Sequence, residues 1–159
     1  SMLMRLGIDV PEDEEVSGTA LQPLRLATAG CDNLVKVWVW DEAARAFQQD
    51  GASLSGHQDW VRDVAWCPTV NGAGEWVIAS AGQDRTVLLW TRAPTGDSSW
   101  SSRPLAKDPF VDVVWRVSWS VNGGLLAVAG GDNRVTLWRA VSGGSGGYEL
   151  VSTVDQSSL

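Results

Sequence analysis

Short runs in which apolar and polar residues alternate recur along the whole chain. The stretch LVKVWV at 34–39 has the polar Lys36 between two valines, and comparable stretches lie at 86–90 and 134–138. Glycine, asparagine and aspartate separate these runs, and no segment sustains the 3.6-residue period of an amphipathic helix. The pattern therefore predicts an all-β chain made of many short strands.

The region before the first alternating run has a different character. Residues 1–22 contain the acidic stretch PEDEE and show no inner-strand pattern, so they are expected to be an acidic leader or disordered loop. From residue 23 onwards, strands are predicted over 24–29, 34–39, 46–54, 60–66, 76–81, 86–90, 100–105, 113–119, 125–129, 134–138 and 148–153.

An internal repeat organises these strands. An aspartate begins and a tryptophan ends one motif, D-x-x-V-x-[VL]-W, which occurs three times at spacings of 52 and 48 residues. The three pairs are Asp32 and Trp38, Asp84 and Trp90, and Asp132 and Trp138. An independent match relates VAW at 64–66 to VSW at 117–119. A period of about 40–50 residues with four short strands each is the signature of a β-propeller blade.

The second repeat carries the clearest family resemblance. Its Gly56-His57 pair and its Asp84-to-Trp90 motif resemble the WD-repeat family of the β-transducin type. The resemblance implies a partial β-propeller of about three four-stranded blades, over residues 23–55, 56–106 and 107–155. In closed rings of this class about four to eight blades are needed, so a fragment of a larger open propeller is expected.

The family resemblance also assigns roles to the polar residues of the second repeat. It implies a structural relay in which His57, Ser80, Asp84 and Trp90 are joined by hydrogen bonds. Members of such a relay should be lost together, because a missing partner leaves a costly buried polar group. In the third repeat, Phe110 and Val128 stand at the positions of the histidine and the hydroxyl.

The first repeat lacks one member of the relay. It retains Thr28, Asp32 and Trp38, but His57 is the one histidine in the chain, so no histidine precedes them. The first blade is therefore expected to be either degenerate or truncated, and truncation is preferred because residues 1–22 show no inner strand.

Composition and motifs argue against catalytic, metal and nucleic-acid functions. The 159 residues carry a net charge of −7 and show no basic stripe, the usual footprint of nucleic-acid binding. A histidine near an aspartate and a serine suggests a hydrolase triad, but there is no G-x-S-x-G elbow or P-loop. With one histidine and no C-x-x-C, no metal site or cofactor is expected, and Cys31 and Cys67 are expected to be free buried thiols.

Four stretches narrow the resemblance within the family. CDNLVKVW, HQDWVRDVAW, DVVWRVSWS and GGDNRVTLW resemble the propeller subunits shared by the COPII outer vesicle coat and the Y-shaped nuclear-pore scaffold. The resemblance implies a non-enzymatic scaffold role in ER-to-Golgi transport and at the nuclear pore. The implied locations are cytoplasmic and peripheral: ER-derived COPII vesicles, the ER membrane and the nuclear envelope.

The same resemblance implies how such a subunit meets its partners. In those proteins a six-bladed open ring is closed by a blade that the partner inserts, the partners being the COPII coat scaffold protein and a helical nucleoporin. This chain would form the last three blades and need the missing N-terminal ones for a complete propeller. Trp115, Trp119 and Leu126 of the third blade are then expected to face the partner's blade.

One alternative function stays open. A peptide-reading WD adaptor, such as a ubiquitin-ligase substrate receptor or a chromatin reader, would share the repeats but bind linear peptides on the rim. In either case, three blades leave two apolar faces in water, which exceeds what a soluble monomer usually exposes. The chain alone is therefore expected to fold weakly or to aggregate.

Overall fold

The computed structural model describes residues 3–7, 23–96, 99–143 and 146–155, and of residues 3–7 the backbone alone. The described residues contain no helix, and the all-β prediction is confirmed. The strands are β1 (Leu3–Gly7), β2 (Arg25–Ala29), β3 (Leu34–Asp41), β4 (Ala46–Gln49), β5 (Leu54–Ser55), β6 (Val61–Trp66), β7 (Trp76–Gly82), β8 (Val87–Arg92), β9 (Ser101–Pro104), β10 (Val114–Trp119), β11 (Leu126–Gly130), β12 (Arg134–Ala140) and β13 (Tyr148–Asp155).

Three antiparallel sheets contain these strands. Their orders are β1-β2-β3-β4, β6-β7-β8-β9 and β10-β11-β12-β13, and the short β5 pairs with β3. The inner strands β1 and β10 each contact β6, so the second sheet lies between the other two. This arrangement confirms the prediction of partial propeller blades, and we call the sheets the first, second and third blades in chain order.

The first blade differs from the sequence expectation. Residues 1–22 were expected to contain no inner strand, yet Leu3–Gly7 forms β1 and pairs along β2, from Leu3 opposite Ala29 to Gly7 opposite Arg25. The physical reason is that the free edge of β2 offers backbone donors and acceptors that an extended segment can pair with. The expected leader is therefore wrong for these five residues, and residues 1, 2 and 8–22 lie outside the described part.

The same turn follows the aspartate that begins the motif in each blade. The residue after the aspartate has a positive φ in all three: 66° at Asn33, 65° at Arg85 and 60° at Asn133. In each blade the aspartate Oδ1 accepts a hydrogen bond from the backbone N–H two residues later, at 3.1–3.2 Å. A short polar side chain that bonds its own backbone stabilises this turn, which fixes the start of the following strand.

Apolar side chains are buried mainly at the two boundaries between blades. Between the first and second blades lie Ala27, Ala29, Val35, Val37, Leu54, Val61, Val64, Ile78 and Trp90. Between the second and third lie Ala65, Cys67, Val77, Ala79, Ala81, Val87, Leu89, Leu105, Val114, Val117, Leu126 and Val128. The second blade is thus covered on both faces, which is why every residue of its strand β7 is buried.

The residues expected to face a partner blade lie against the second blade instead. Leu126 is fully buried in the boundary between the second and third blades. Trp119 packs on the same boundary and its Nε1 donates to the backbone oxygen of Ala65 at 3.1 Å. Trp115 is half exposed, but its ring centre lies 5.0 Å from the guanidinium of Arg62 on β6. For Trp119 and Leu126 the expectation is wrong, because a blade has two apolar faces and these side chains belong to the face that the second blade covers. Trp115 stays half exposed at the edge of that boundary.

The two cysteines also differ from each other. Both are free thiols, but Cys31 is exposed whereas Cys67 is buried at the blade boundary. The expectation of a buried Cys31 was wrong because this residue lies in the tight turn between β2 and β3, where it is exposed.

Candidate functional site

The predicted relay residues of the second blade come from four separate places in the chain. His57 lies before β6, Ser80 in β7, Asp84 in the turn between β7 and β8, and Trp90 on β8. His57 Nδ1 lies 3.0 Å from Asp84 Oδ2, and His57 Nε2 lies 2.7 Å from Ser80 Oγ. Trp90 Nε1 donates to Ser80 Oγ at 2.9 Å. All four side chains therefore form one continuous hydrogen-bonded row.

The chemistry of the two ends fixes the direction of this row. An indole N–H can only donate and an ionised carboxylate can only accept. With a neutral His57, Trp90 donates to Ser80, the Ser80 hydroxyl donates to Nε2, and Nδ1–H donates to Asp84. Every buried donor and acceptor in the row then has a partner, which is the condition for a buried polar network to stabilise a fold.

Asp84 also accepts hydrogen bonds from two residues outside the relay. Its carboxylate accepts from the N–H of Gln58 at 2.8 Å and from the Thr86 hydroxyl at 2.7 Å. Burial raises the pKa of Asp84, but the hydrogen bonds from Thr86 and Gln58, with the interaction with His57, outweigh burial and hold the pKa below its ordinary value of 3.8. The carboxylate is therefore ionised, and it holds the segment that precedes β6 onto the turn between β7 and β8.

Two glycines allow the relay to close. A Cβ on Gly82 would lie 2.6 Å from His57 Nδ1 and in collision with Asp84 Oδ1. A Cβ on Gly56 would lie 2.9 Å from a methyl carbon of Leu88 and 3.0 Å from the Trp90 ring. The glycine before the histidine is thus explained by close approach to the tryptophan that ends the motif.

The row has the residue types of a hydrolase triad, but its serine and histidine are not accessible to a substrate. Ser80 is completely buried, the His57 side chain is 1% exposed, and the Ser80 oxygen already accepts from Trp90. A nucleophile must reach a substrate carbonyl and be free of such a competing donor. The arrangement can brace a blade, and it offers no route for a substrate.

The other two blades satisfy their tryptophans differently. In the first, Trp38 Nε1 donates to Thr28 Oγ1 at 2.9 Å. In the third, Trp138 Nε1 donates to Thr136 Oγ1 at 2.9 Å, and the Phe110 ring packs edge-on against Trp138 with centres 6.0 Å apart. Sequence reasoning missed Thr136. The available signal was a hydroxyl residue at the motif position that Leu88 occupies in the second blade.

A graft of the third-blade arrangement onto the second blade tests this equivalence. The triple variant His57→Phe, Ser80→Val, Leu88→Thr is expected to lose only about 1 kcal/mol, because every remaining polar group keeps a partner. Ser80→Val alone should cost about 2–3 kcal/mol, since it leaves both the His57 imidazole and the Trp90 indole N–H without a hydrogen-bond partner. Urea-unfolding midpoints of the full chain measure both. A triple variant less stable than the single one would contradict the equivalence.

The third blade presents its other face to solvent. Leu125, Ala127, Ala129, Val135, Leu137 and Val154 point away from the second blade. By motif position they correspond to Val77, Ala79, Ala81, Val87, Leu89 and Leu105, all of which the third blade covers. Leu125 is 37% and Val154 44% exposed, whereas their counterparts are at most 5% exposed. This face is therefore of the kind that another blade covers, but no described blade covers it. We call these six residues the open face.

Residues 3–7, 23–96, 99–143 and 146–155 contain no group of three histidine, cysteine or acidic side chains able to hold a metal ion. Within the same part of the chain, no helix is long and apolar enough to cross a membrane.

Comparisons with known proteins agree with the blade motifs. The family model described as "WD domain, G-beta repeat" matches residues 48–91 and 109–139. Protein transport protein SEC13 of Yarrowia lipolytica is 48% identical over 126 residues, which is 79% of this chain and 41% of that protein. The Schizosaccharomyces pombe protein is 48% identical over 76% of the chain and 39% of its own length. For Saccharomyces cerevisiae SEC13 the values are 44%, 82% and 42%. The chain thus spans about two fifths of the length of these relatives.

Proposed function

Because the chain belongs to the WD-repeat family and is Sec13-like over most of its length, we propose that it serves as a structural scaffold part in protein transport. The role is protein–protein interaction in the COPII coat of ER-to-Golgi vesicles, with no catalytic step. The printed names of the relatives support a transport role. The specific assembly, and with it the location at ER-derived vesicles, is part of the proposal.

The open face carries this proposal. Its residues match a surface that, one blade earlier, is fully covered by another four-stranded sheet. An apolar sheet face of this kind is stabilised by a second sheet at about 10 Å, since the side chains of both then leave water. We propose that a blade contributed by the COPII coat scaffold protein covers the open face. A helical nucleoporin would cover the same face in the nuclear pore complex.

Further blades preceding this region would complete the ring on the side of the first blade. The curated relatives are more than twice as long as the matched region, which supports a larger open propeller. The limits proposed for the three blades, 23–55, 56–106 and 107–155, place each described sheet from β2 onwards within one unit.

Co-expression with the coat scaffold protein tests the proposal. We expect a complex that survives dilution, and we expect Leu137→Asp to lose it, because a carboxylate would be buried under the covering blade. Arg45→Asp, in the exposed turn between β3 and β4, is the matched control and should retain the complex. A complex that forms equally well with Leu137→Asp would rule out the open face as the contact.

One observation favours peptide reading as a second candidate. The exposed rings of Trp60 and Trp115 both stack on the Arg62 guanidinium, each with its centre 5.0 Å away. Tryptophan and arginine are the residue types most enriched in binding hot spots. If peptide reading is the function, Trp60→Ala and Trp115→Ala should abolish capture of a linear peptide while Leu137→Asp leaves it unchanged.

A further inference from the structure

The boundary between the second and third blades contains a polar contact that joins neighbouring inner strands. Asp63 of β6 is completely buried. Its Oδ1 accepts from its own strand, at the N–H of Val64, 2.9 Å away, and its Oδ2 accepts from the N–H of Val117 on β10 at 3.0 Å. A side chain of the covered blade thus bonds the backbone of the blade that covers it.

Arg116 occupies the position of Asp63 in the third blade. Asp63 pairs with Ala81, and Arg116 pairs with Ala129, which is the residue equivalent to Ala81. Both inner strands also contain a register shift just before this residue, between Val61 and Asp63 and between Val114 and Arg116. The sequence change therefore replaces an anion by a cation at the point where the inner strand meets the next blade.

Arg116 is exposed, and its strand partner Ala129 belongs to the open face. A blade placed there as the third blade lies on the second would remove this position from water, as it does Asp63. A buried guanidinium without a counter-charge is strongly destabilising, whereas a bidentate carboxylate neutralises its charge and accepts hydrogen bonds from two of its N–H groups. The covering blade must therefore supply an acceptor at this point.

From this contact we propose that the inner strand of the covering blade carries an aspartate or glutamate that pairs with Arg116. The inference rests on the proposed function, since it specifies the chemistry of the segment that covers the open face. The occupant is a strand-forming segment of another protein, with one carboxylate among apolar residues that face Ala127 and Leu137.

A blade built like the third blade does not meet that requirement. At the existing boundary the covering strand β10 presents a backbone N–H, from Val117, opposite the residue in question. That donor matches the carboxylate of Asp63. Against Arg116 it would place donor against donor, so a WD blade like the third one is a poor cover for the open face.

Charge reversal in the complex tests the pairing. The probe is the full chain co-expressed with the coat scaffold protein, with affinity measured by titration at several salt concentrations. Arg116→Glu is expected to weaken binding by about 30-fold or more. Arg116→Lys should weaken it by less, because a lysine keeps the positive charge but cannot form the bidentate hydrogen bonds of a guanidinium. Arg45→Glu makes the same charge change in an exposed turn and should leave affinity unchanged.

A rescue experiment identifies the partner residue. Each acidic residue of the scaffold protein's strand-forming segment is changed to lysine in turn and combined with Arg116→Glu. We expect one such change to restore most of the lost affinity, and an unchanged melting temperature of the Arg116→Glu chain shows that folding is not the cause.

Three results would overturn the inference. If Arg116→Glu binds like the unmodified chain while Leu137→Asp does not bind, the open face is the contact but the ion pair is absent. If Arg116→Glu weakens binding and no reversal restores it, the acceptor is not a carboxylate. If Leu137→Asp also binds normally, the proposed function and the inference fall together.

Discussion

Replacing Asp84 by alanine is expected to destabilise the chain by about 3 kcal/mol, since the substitution leaves the His57 ring, the Thr86 hydroxyl and two backbone N–H groups without their acceptor in a buried place. The loss should be concentrated in β7 and β8. Urea unfolding gives the total, and amide hydrogen exchange of peptides covering these strands shows where protection is lost.

The third blade offers a matched control for this change. Asp132 holds the equivalent turn, where its Oδ1 accepts from the N–H of Arg134, but Phe110 stands in place of a histidine. Asp132→Ala should therefore cost only about 1 kcal/mol, the usual value for one turn hydrogen bond. Equal losses at the two aspartates would show that the relay adds nothing beyond its turn.

Leu126→Ala is expected to cost about 2–5 kcal/mol, because this fully buried side chain fills the boundary between the second and third blades and its removal leaves a cavity there. The measurement is the unfolding free energy of the full chain. A loss this large would follow from the observed packing against the second blade, whereas a residue that faces a partner would be nearly neutral in the chain alone.

Leu137→Ala removes the same side chain from the opposite face of the same sheet. Because Leu137 is only partly buried, we expect a loss of about 1 kcal/mol or less in the chain alone. The ranking should change when the coat scaffold protein is bound, where Leu137 becomes the more sensitive position. If Leu126 and Leu137 gave equal losses without a partner, the assignment of the two faces would be wrong.

The repeat motif made the fold predictable because its residues interact locally, within one turn and the strand that follows. The aspartate, the following positive-φ residue and the tryptophan lie within one turn and one strand, so their spacing survives in the sequence. The relay residues followed from the family resemblance, and the structure brings all four together. The motif, together with the independent match between VAW at 64–66 and VSW at 117–119, was enough to predict blades.

The orientation of the third blade was not predictable in the same way. A register shift between Val114 and Arg116 interrupts the alternation of β10, so the pattern alone cannot tell which face each side chain joins. Thr136 was missed because the hydroxyl partner of the tryptophan lies on the neighbouring strand in the other two blades, whereas in the third blade it lies on the same strand as Trp138. Strand β5 was merged with β4 because the residues between them are equally polar.

The long stretch of sequence between β1 and β2 bears on how long a connection within a blade can be. Residues 8–24 connect β1 to β2, whereas 67–75 and 120–125 make the corresponding connections in the other blades. Loop-closure entropy grows only with the logarithm of length, so a doubled connection costs about 0.6 kcal/mol. A single apolar contact between blades outweighs that amount. This connection can therefore lengthen or change composition at little thermodynamic cost, and an acidic insertion there does not remove the strand on its far side.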